Sequence, residues 1–372
     1  MKIAIDGRGI SWYNGTGIGT YTENLVKNMI NLDKENEFFI YWWGKNYDEF
    51  KRDNSHIILS SKKHKSFFEK YYFGENSRRE GIDLFHVPQN GIGLDESISC
   101  KKVITIHDLI PYIMPETVGD GYLNKFLSSL PKLVELSDGI LTVSEYSKKD
   151  ILRFFPIDES KVYVTPLAAD KKYTPLDKEK CRQALEKTYN ITNPFILYIG
   201  GFSPRKNVKS LILAFSKVYN DLPKEYSLVI TGANKDNLEE LFNLSQTQEI
   251  YSRIKFTGFI PEEHLPWFYN ASDVFVYPSL YEGFGLPPLE AMSCGTPVIA
   301  SNISSIPEVV RDAGILINPL NRQELEAALL TTLSSESILN ELSEKGLKQS
   351  KLFSWHNTAL ATLNAYKKIL GS

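Results

Sequence analysis

Short, continuous apolar runs alternate along the chain with longer stretches in which apolar residues recur every three or four positions. In the first half, KIAID, FFIYWW, LFHVP, KVITI, GILTVS and KVYVTP read as strands. A second series runs through PFILYIGG, YSLVITG, RIKFTGF, DVFVYPS, TPVIAS and GILIN. Strands separated by helix-length amphipathic segments predict parallel sheets joined by crossover helices. The polar stretch from Asp170 to Asn193 contains no strand-like run and divides the two series. The expected organisation is therefore one domain over 1–170, a linker over 171–193 and a second domain over 194–352. The last residues, FSWHNTALATLNAYKKILGS, put Trp355, Ala359, Leu363 and Tyr366 at helical spacing. They predict a C-terminal helix over 353–372 that packs back onto the first domain.

Length agrees with two cores, because 372 residues exceed the usual size of one. Hydrophobic residues make up 42% and charged residues 23%, with a formal net charge of -3, as in an ordinary globular protein and without the basic excess of a nucleic-acid binder. Cys100, Cys181 and Cys294 are far apart and form no C-x-x-C pair, so neither a zinc site nor a disulfide framework is expected. A reducing, cytoplasmic setting follows. MKIAID enters a strand directly, without the charged leader and apolar core of a signal peptide. No apolar run approaches the roughly 20 residues that span a bilayer.

The chemistry concentrates first in YEGFGLPPLE, Tyr281 to Glu290. DVFVYPS precedes it as a strand, and Pro287 with Pro288 suits the start of a helix, about PPLEAMSC, closed by Gly295. Glu282 then falls in the strand-to-helix loop and Glu290 in the helix's first turn. Gly283 and Gly285 permit close backbone approach, and unpaired amides at the helix start favour an anion such as phosphate. Carboxylates on either side repel phosphate but accept hydrogen bonds from hydroxyls, so a sugar on one side and a ribose on the other would satisfy both. Taken alone, a loop cap and a helix-dipole partner would also account for the two glutamates.

This stretch and its continuation AMSCGTPVIASNISSIPEVV resemble the donor-site signature of retaining glycosyltransferases of family 4, nucleotide-sugar-dependent enzymes of the two-Rossmann-domain GT-B type. NGTGIGTYTENL, ITIHDLIP, TVSEYSKKDI, YIGGFSPRKNVKSLILAF and TGFIPEEHLPWFYNASDVFVYPS follow the family order, so the resemblance spans essentially the whole chain. It implies an α/β fold of two doubly wound Rossmann-like domains facing each other across a deep cleft. It also assigns roles. Arg205 and Lys206 would neutralise the donor diphosphate. Many relatives carry an Arg directly after the first glycine of that loop, where this chain has Gly201 and Phe202, and Arg205 is expected to supply the charge instead. His107, directly after KVITI, would bond a donor hydroxyl or stabilise the charge-separated transition state. Glu282 would orient a sugar hydroxyl, Glu290 the ribose, and Gly283, Phe284, Gly285 and Leu286 would hold phosphate or sugar. Gly15, Gly17 and Ile18 would face the donor phosphates. The base would lie by the loop Thr257 to Ile260, including Gly258, with Phe259 expected in the core and base stacking as the alternative. His86 is expected near the acceptor.

The same resemblance implies transfer of a hexose with retention, by attack on the face from which the phosphate leaves. No D-x-D pair is present, so no metal or other cofactor is expected. GDP-mannose is the favoured donor and UDP-glucose the alternative. The acceptor is expected to be a glycan, lipid-linked, in assembly of a bacterial surface polysaccharide, as in mannosyltransferase-like relatives. Residues 61–79, SKKHKSFFEKYYFGENSRR, interleave six Lys or Arg with five aromatics. That pattern suits peripheral attachment to an anionic membrane at the inner face of the plasma membrane, or a surface helix with its rings turned inward. An epimerase or phosphorylase on the same scaffold, or a non-catalytic sugar-nucleotide binder, are the competing readings.

Overall fold

The computed structural model describes residues 1–13, 15–232 and 248–371. Asn14, which opens the glycine-rich N-terminal motif, lies outside them. The chain divides into two compact units, 1–167 with 354–372, and 168–353.

Among the described residues, the first unit holds seven parallel strands: β1 (Lys2–Asp6), β2 (Glu37–Trp43), β3 (Ser55–Ser60), β4 (Leu84–Val87), β5 (Lys101–Ile106), β6 (Gly139–Thr142) and β7 (Val162–Val164). Their order is β3-β2-β1-β4-β5-β6-β7. One strand, β3, has no counterpart in the apolar runs. SHIILS pairs only with β2, at the sheet edge, and stays half-buried, so it lacks the continuous apolar character of a central strand. The second unit carries β8 (Phe195–Ile199), β9 (Ser227–Thr231), β10 (Ile254–Gly258), β11 (Val274–Tyr277), β12 (Val298–Ser301) and β13 (Ile315–Ile317) in the order β10-β9-β8-β11-β12-β13. Both sheets therefore reverse direction once, at β1/β4 and at β8/β11. A doubly wound sheet opens its ligand crevice there, beyond the carboxyl ends of the strands. The chain belongs to the GT-B class of folds, two Rossmann-like α/β units.

The stretch expected to link the domains is not a bare linker. Lys178–Tyr189 is a helix, capped by the Asp177 side chain accepting from the Lys180 amide, and it buries Cys181 and Leu185 within the second unit. The sequence showed no strand there because the segment is helical, with only a narrow apolar stripe.

Trp355–Leu370 forms a helix capped by Ser354, with Trp355, Ala359, Leu363 and Tyr366 buried. It packs on the helix Gly17–Leu32 of the same unit. A buried polar chain joins them. The Tyr366 hydroxyl lies 2.6 Å from His86 Nδ1, His86 Nε2 lies 2.8 Å from Thr105 Oγ1, and that oxygen lies 3.1 Å from the Tyr21 hydroxyl. His86, expected near the acceptor, is thus a buried core residue with both ring nitrogens engaged. Burial, reinforced by the nearby His107, lowers its pKa to about 3. Replacing Tyr366 by Phe leaves a buried imidazole nitrogen without its partner. The expected loss is about 1–3 kcal/mol in chemical denaturation; unchanged stability would mean that the chain contributes nothing.

Candidate functional site

In the second unit, the loop after β8 turns through a short helical segment, Pro204–Lys206, and stops at Asn207, whose left-handed backbone (φ 53°) would strain most other side chains. The Asn207 side-chain Nδ2 donates to the carbonyls of Pro278 (3.1 Å) and Pro319 (2.8 Å), and the Leu280 backbone amide donates to the Arg205 carbonyl at 2.7 Å. These bonds fasten the β8 loop to the loops after β11 and β13. The loops after β8 and β11 meet in a charge cluster. Lys206 Nζ donates to Glu282 Oε1 (2.7 Å) and to the Tyr277 hydroxyl (2.6 Å), which itself donates to Glu282 Oε1 at 2.9 Å. Arg205 Nη1 lies 2.7 Å from the same carboxylate oxygen and donates to the Tyr281 carbonyl at 2.6 Å.

Burial opposes the charge on Glu282, whose side chain is only 12% exposed, yet the Lys206 and Arg205 cations win and hold its pKa at about 2. The cluster gathers two cations and a carboxylate at the carboxyl end of the sheet. The sequence had no means of finding Tyr277 or Ser279, which bind Glu282 from the end of β11, nor Ser305, whose hydroxyl donates to the carbonyls of Glu282 (2.9 Å) and Phe284 (2.7 Å). Their only signal was proximity to strand ends.

The helix after Glu282 spans Leu286–Ser293, and its start corrects two expectations. Glu290 occupies its fifth position rather than the first turn, because the helix begins before the prolines. Pro287 and Pro288 also have no amide hydrogen, so of the first three helical positions only Leu286 offers an N–H. Any anion held here relies on the loop amides that lead into the helix. Gly285, with φ 122°, makes that entry possible in a conformation other residues avoid. Phe284 is buried edge-on against Phe353 and serves the core.

Glu290 makes a separate set of contacts. The Tyr269 hydroxyl donates to its Oε2 at 2.8 Å. Burial raises its pKa to about 7 against the pull of Tyr269 and Lys172. The glycines after β8, β9 and β10 meet: the Gly232 amide donates to the Gly258 carbonyl, and a Cβ on Gly232 would come within 2.3 Å of the Gly200 carbonyl oxygen. Gly201 is exposed beside them. Phe259, expected in the core, has 82% of its surface exposed instead, since it follows the last strand residue at the open end of the edge strand β10.

The first unit carries the remaining candidates. His107 follows β5, its amide donates to Asn90 Oδ1 (2.9 Å), and its Nε2 lies 2.9 Å from the Pro88 carbonyl. That carbonyl can only accept, so Nε2 carries the proton and Nδ1 is left as an acceptor. Burial lowers the pKa to about 4 despite the Pro88 carbonyl, which keeps the ring neutral near pH 7. Tyr21 packs edge-on against it at 4.8 Å. Gly15 (φ 73°) precedes the helix Gly17–Leu32, while Gly17 and Gly19 lie inside its first turn and not before it. Thr16 caps that turn through the Gly19 amide, and Gly17 and Ile18 begin the helix.

Residues 15–173 match Glycosyltransferase Family 4, and residues 181–349 match Glycosyl transferases group 1. O-antigen chain mannosyltransferase B of Escherichia coli is 32% identical over 95% of this chain and 97% of its own length. The chain belongs to the family 4 glycosyltransferases. Among solved structures, this glycosyltransferase superposes on sucrose-phosphate synthase of Thermosynechococcus elongatus (TM-score 0.76, 20% identity, 100% and 99% coverage). It also superposes on HepE of Anabaena, solved with UDP and glucose (TM-score 0.75, 16% identity, 99% and 100% coverage). At those identities the likeness concerns the fold. Among the described residues of the enzyme, no helix is long and apolar enough to cross a membrane, and no group of three or more His, Cys, Asp or Glu is placed to hold a metal ion.

The depressed pKa of Glu282 makes a signed prediction. A carboxyl held at about 2 against an ordinary 4.5 stabilises the folded state fully above pH 4.5, and the contribution fades as pH falls towards 2. Glu282→Gln is therefore expected to cost about 2–4 kcal/mol at pH 7 and markedly less at pH 3, measured by denaturation at both values. A pH-independent difference would contradict the ionic account.

Proposed function

We propose that this glycosyltransferase moves a hexose from a nucleoside-diphosphate sugar to a glycan acceptor with retention of anomeric configuration and without a divalent metal. GDP-mannose is the first-choice donor and UDP-glucose the second. The acceptor is lipid-linked and the product belongs to a bacterial surface polysaccharide. The observation that carries this reading is the Arg205–Lys206–Glu282 cluster at the carboxyl end of the second sheet. The names of its mannosyltransferase relative and of the UDP- and glucose-bound neighbour support the donor class.

In this mechanism the bond between the sugar's anomeric carbon and the diphosphate oxygen breaks as the acceptor oxygen bonds to the same face. The acceptor's proton passes to the departing phosphate. Arg205 and Lys206 supply the positive charge that the leaving diphosphate requires, and do so in a fixed geometry that needs no reorganisation. Glu282, ionised by those same cations, accepts a hydrogen bond from a sugar hydroxyl. Glu290 accepts from the ribose when ionised, with Tyr269 holding its other side. The neutral His107 offers Nδ1 to a hydroxyl of the sugar, and its lowered pKa removes it as a proton donor near pH 7. Phe259, exposed beside Gly258, is available for stacking on the base.

Residues 61–79 supply the membrane contact. Phe68, Tyr72 and Phe73 pack on the core of the first unit, whereas Phe67 and Tyr71 stay exposed on a segment that also exposes Lys62, Lys63 and Lys70. Exposed rings among ammonium groups suit an anionic lipid surface. Flotation with phosphatidylglycerol vesicles is expected to retain the protein and to lose it on Phe67→Ser with Tyr71→Ser; neutral vesicles retaining it equally would remove the electrostatic part.

The function itself is tested by thermal stability against UDP, GDP, ADP and their sugars, with and without magnesium. One nucleotide class is expected to raise stability, by about 2.7 kcal/mol at a hundredfold excess over Kd, with no dependence on magnesium. Affinity is expected to rise between pH 6 and 8 as Glu290 ionises around 7, and to be flat in Glu290→Gln. Turnover with the donor so identified would be followed by NMR of the product's anomeric proton. No response to any nucleotide, or an inverted product, would refute the reading.

A further inference from the structure

The first unit contains a cavity of about 120 Å³ at the carboxyl ends of its strands, beside the β1/β4 switch point. Four chain segments that are distant in sequence converge on it. Tyr122, Lys125, Phe126 and Ser129 project from one face of the helix Asp120–Leu136, at the spacing of successive turns. Trp12 and Tyr13 come from the segment after β1, Asn90 and Ile92 from the loop after β4, and Lys65 from the 61–79 segment.

The lining is mixed. Ile92, Phe126 and Leu130 contribute apolar surface, whereas the phenols of Tyr13 and Tyr122, the Asn90 side chain and two ammonium groups contribute polar atoms. At about 120 Å³ it is smaller than the roughly 300–1,000 Å³ of drug-sized ligand pockets, which suits a small ring. Interleaved apolar and hydrogen-bonding groups are what a pyranose presents, with its C–H patches and equatorial hydroxyls. Among the described residues, no carboxylate lines the cavity, while both lysines do. Lys65 is drawn aside by the Trp12 ring (4.5 Å) and Glu69 (3.7 Å), and Trp12 also carries the Arg8 guanidinium at 4.4 Å. With its ring engaged by two cations, Trp12 is a wall and not a stacking platform. Tyr122, packed against Phe126 at 5.6 Å yet 44% exposed, is the most exposed of the cavity's rings, and Lys125 makes no ion pair among the described residues.

Asn90 connects this cavity to the candidate site. It lines the wall and also accepts the His107 amide through Oδ1, so whatever occupies the cavity lies one residue away from the His107 loop. We propose that the cavity binds a sugar ring of the acceptor that carries an anionic group, a phosphate or a carboxylate, with the ring against Tyr122 and the anion on Lys125. This rests on the transferase reading above and names the chemistry of its acceptor.

The test is isothermal calorimetry on the full chain, with its nucleotide site filled by the nucleoside diphosphate found in the thermal panel. The probes are mannose 6-phosphate, glucuronate, methyl α-mannopyranoside and inorganic phosphate. At least one anionic sugar is expected to bind about fivefold tighter than the neutral mannoside, which is the scale of one partly exposed ion pair. Lys125→Ala is expected to remove that margin, and Tyr122→Ala to weaken all three sugars, with nucleotide affinity and melting temperature unchanged in both. Preference for mannose 6-phosphate over glucuronate would assign the anion as phosphate, and the reverse as carboxylate. Equal binding of the neutral mannoside, inorganic phosphate binding as tightly as the sugars, insensitivity to Lys125→Ala, or no sugar binding would each overturn the proposal. Loss of nucleotide binding itself would instead count against the transferase reading.

Discussion

The ion cluster of Glu282 with Arg205 and Lys206 is the constraint on which the second unit's binding end depends. Two loops, after β8 and β11, leave adjacent strands at the switch point, and no sheet pairing holds them to each other. One carboxylate oxygen receives the Lys206 ammonium, the Arg205 guanidinium and the Tyr277 hydroxyl, and so ties both loops together. Removing the carboxylate would take a shared ionic partner from two partly buried cations. A break of that kind costs far more than a surface ion pair contributes. The cluster therefore holds the two loops together through its charges and gathers both cations at the end of the sheet.

The two glutamates of one short motif are driven in opposite directions by their surroundings. Glu282 sits between cations and is ionised at any ordinary pH, whereas burial beside Tyr269 lifts Glu290 to about 7. Eight positions apart in sequence, they belong to different hydrogen-bonded sets. A pair of titratable groups pushed apart in this way marks a division of roles, one permanently an acceptor and one conditional on pH. His107 completes the contrast. Its lowered pKa and its bond to the Pro88 carbonyl keep it neutral and oriented, which suits hydrogen bonding and not proton transfer.

The first unit depends instead on neutral, buried hydrogen bonds. Tyr366, His86, Thr105 and Tyr21 run through the core from the C-terminal helix to the helix Gly17–Leu32, and Tyr21 in turn packs against His107. The last helix is thereby part of the support of a candidate site residue more than two hundred positions earlier in the chain. Asn90, which lines the first unit's cavity, is joined to the same support through its bond to the His107 amide.

Much of this was legible in the residues themselves. Strands of a parallel sheet read as apolar runs where they are buried, and twelve of the strands follow from such runs; β3 escaped because its residues are only half-buried or exposed, so SHIILS carries a short apolar run between polar residues. Glycine and proline around Glu282 announced a turn into a helix because their backbone preferences are local properties. The sequence likewise brought forward Arg205, Lys206 and Glu282 as candidates. What it could not decide were quantities set by neighbours distant in the chain: that Phe259 is exposed, that His86 is sealed between Tyr366 and Thr105, and that Tyr277 and Ser305 hold the Glu282 loop. Burial, pKa and partnership are properties of a packed environment. A residue's type limits them, and only the tertiary structure assigns them.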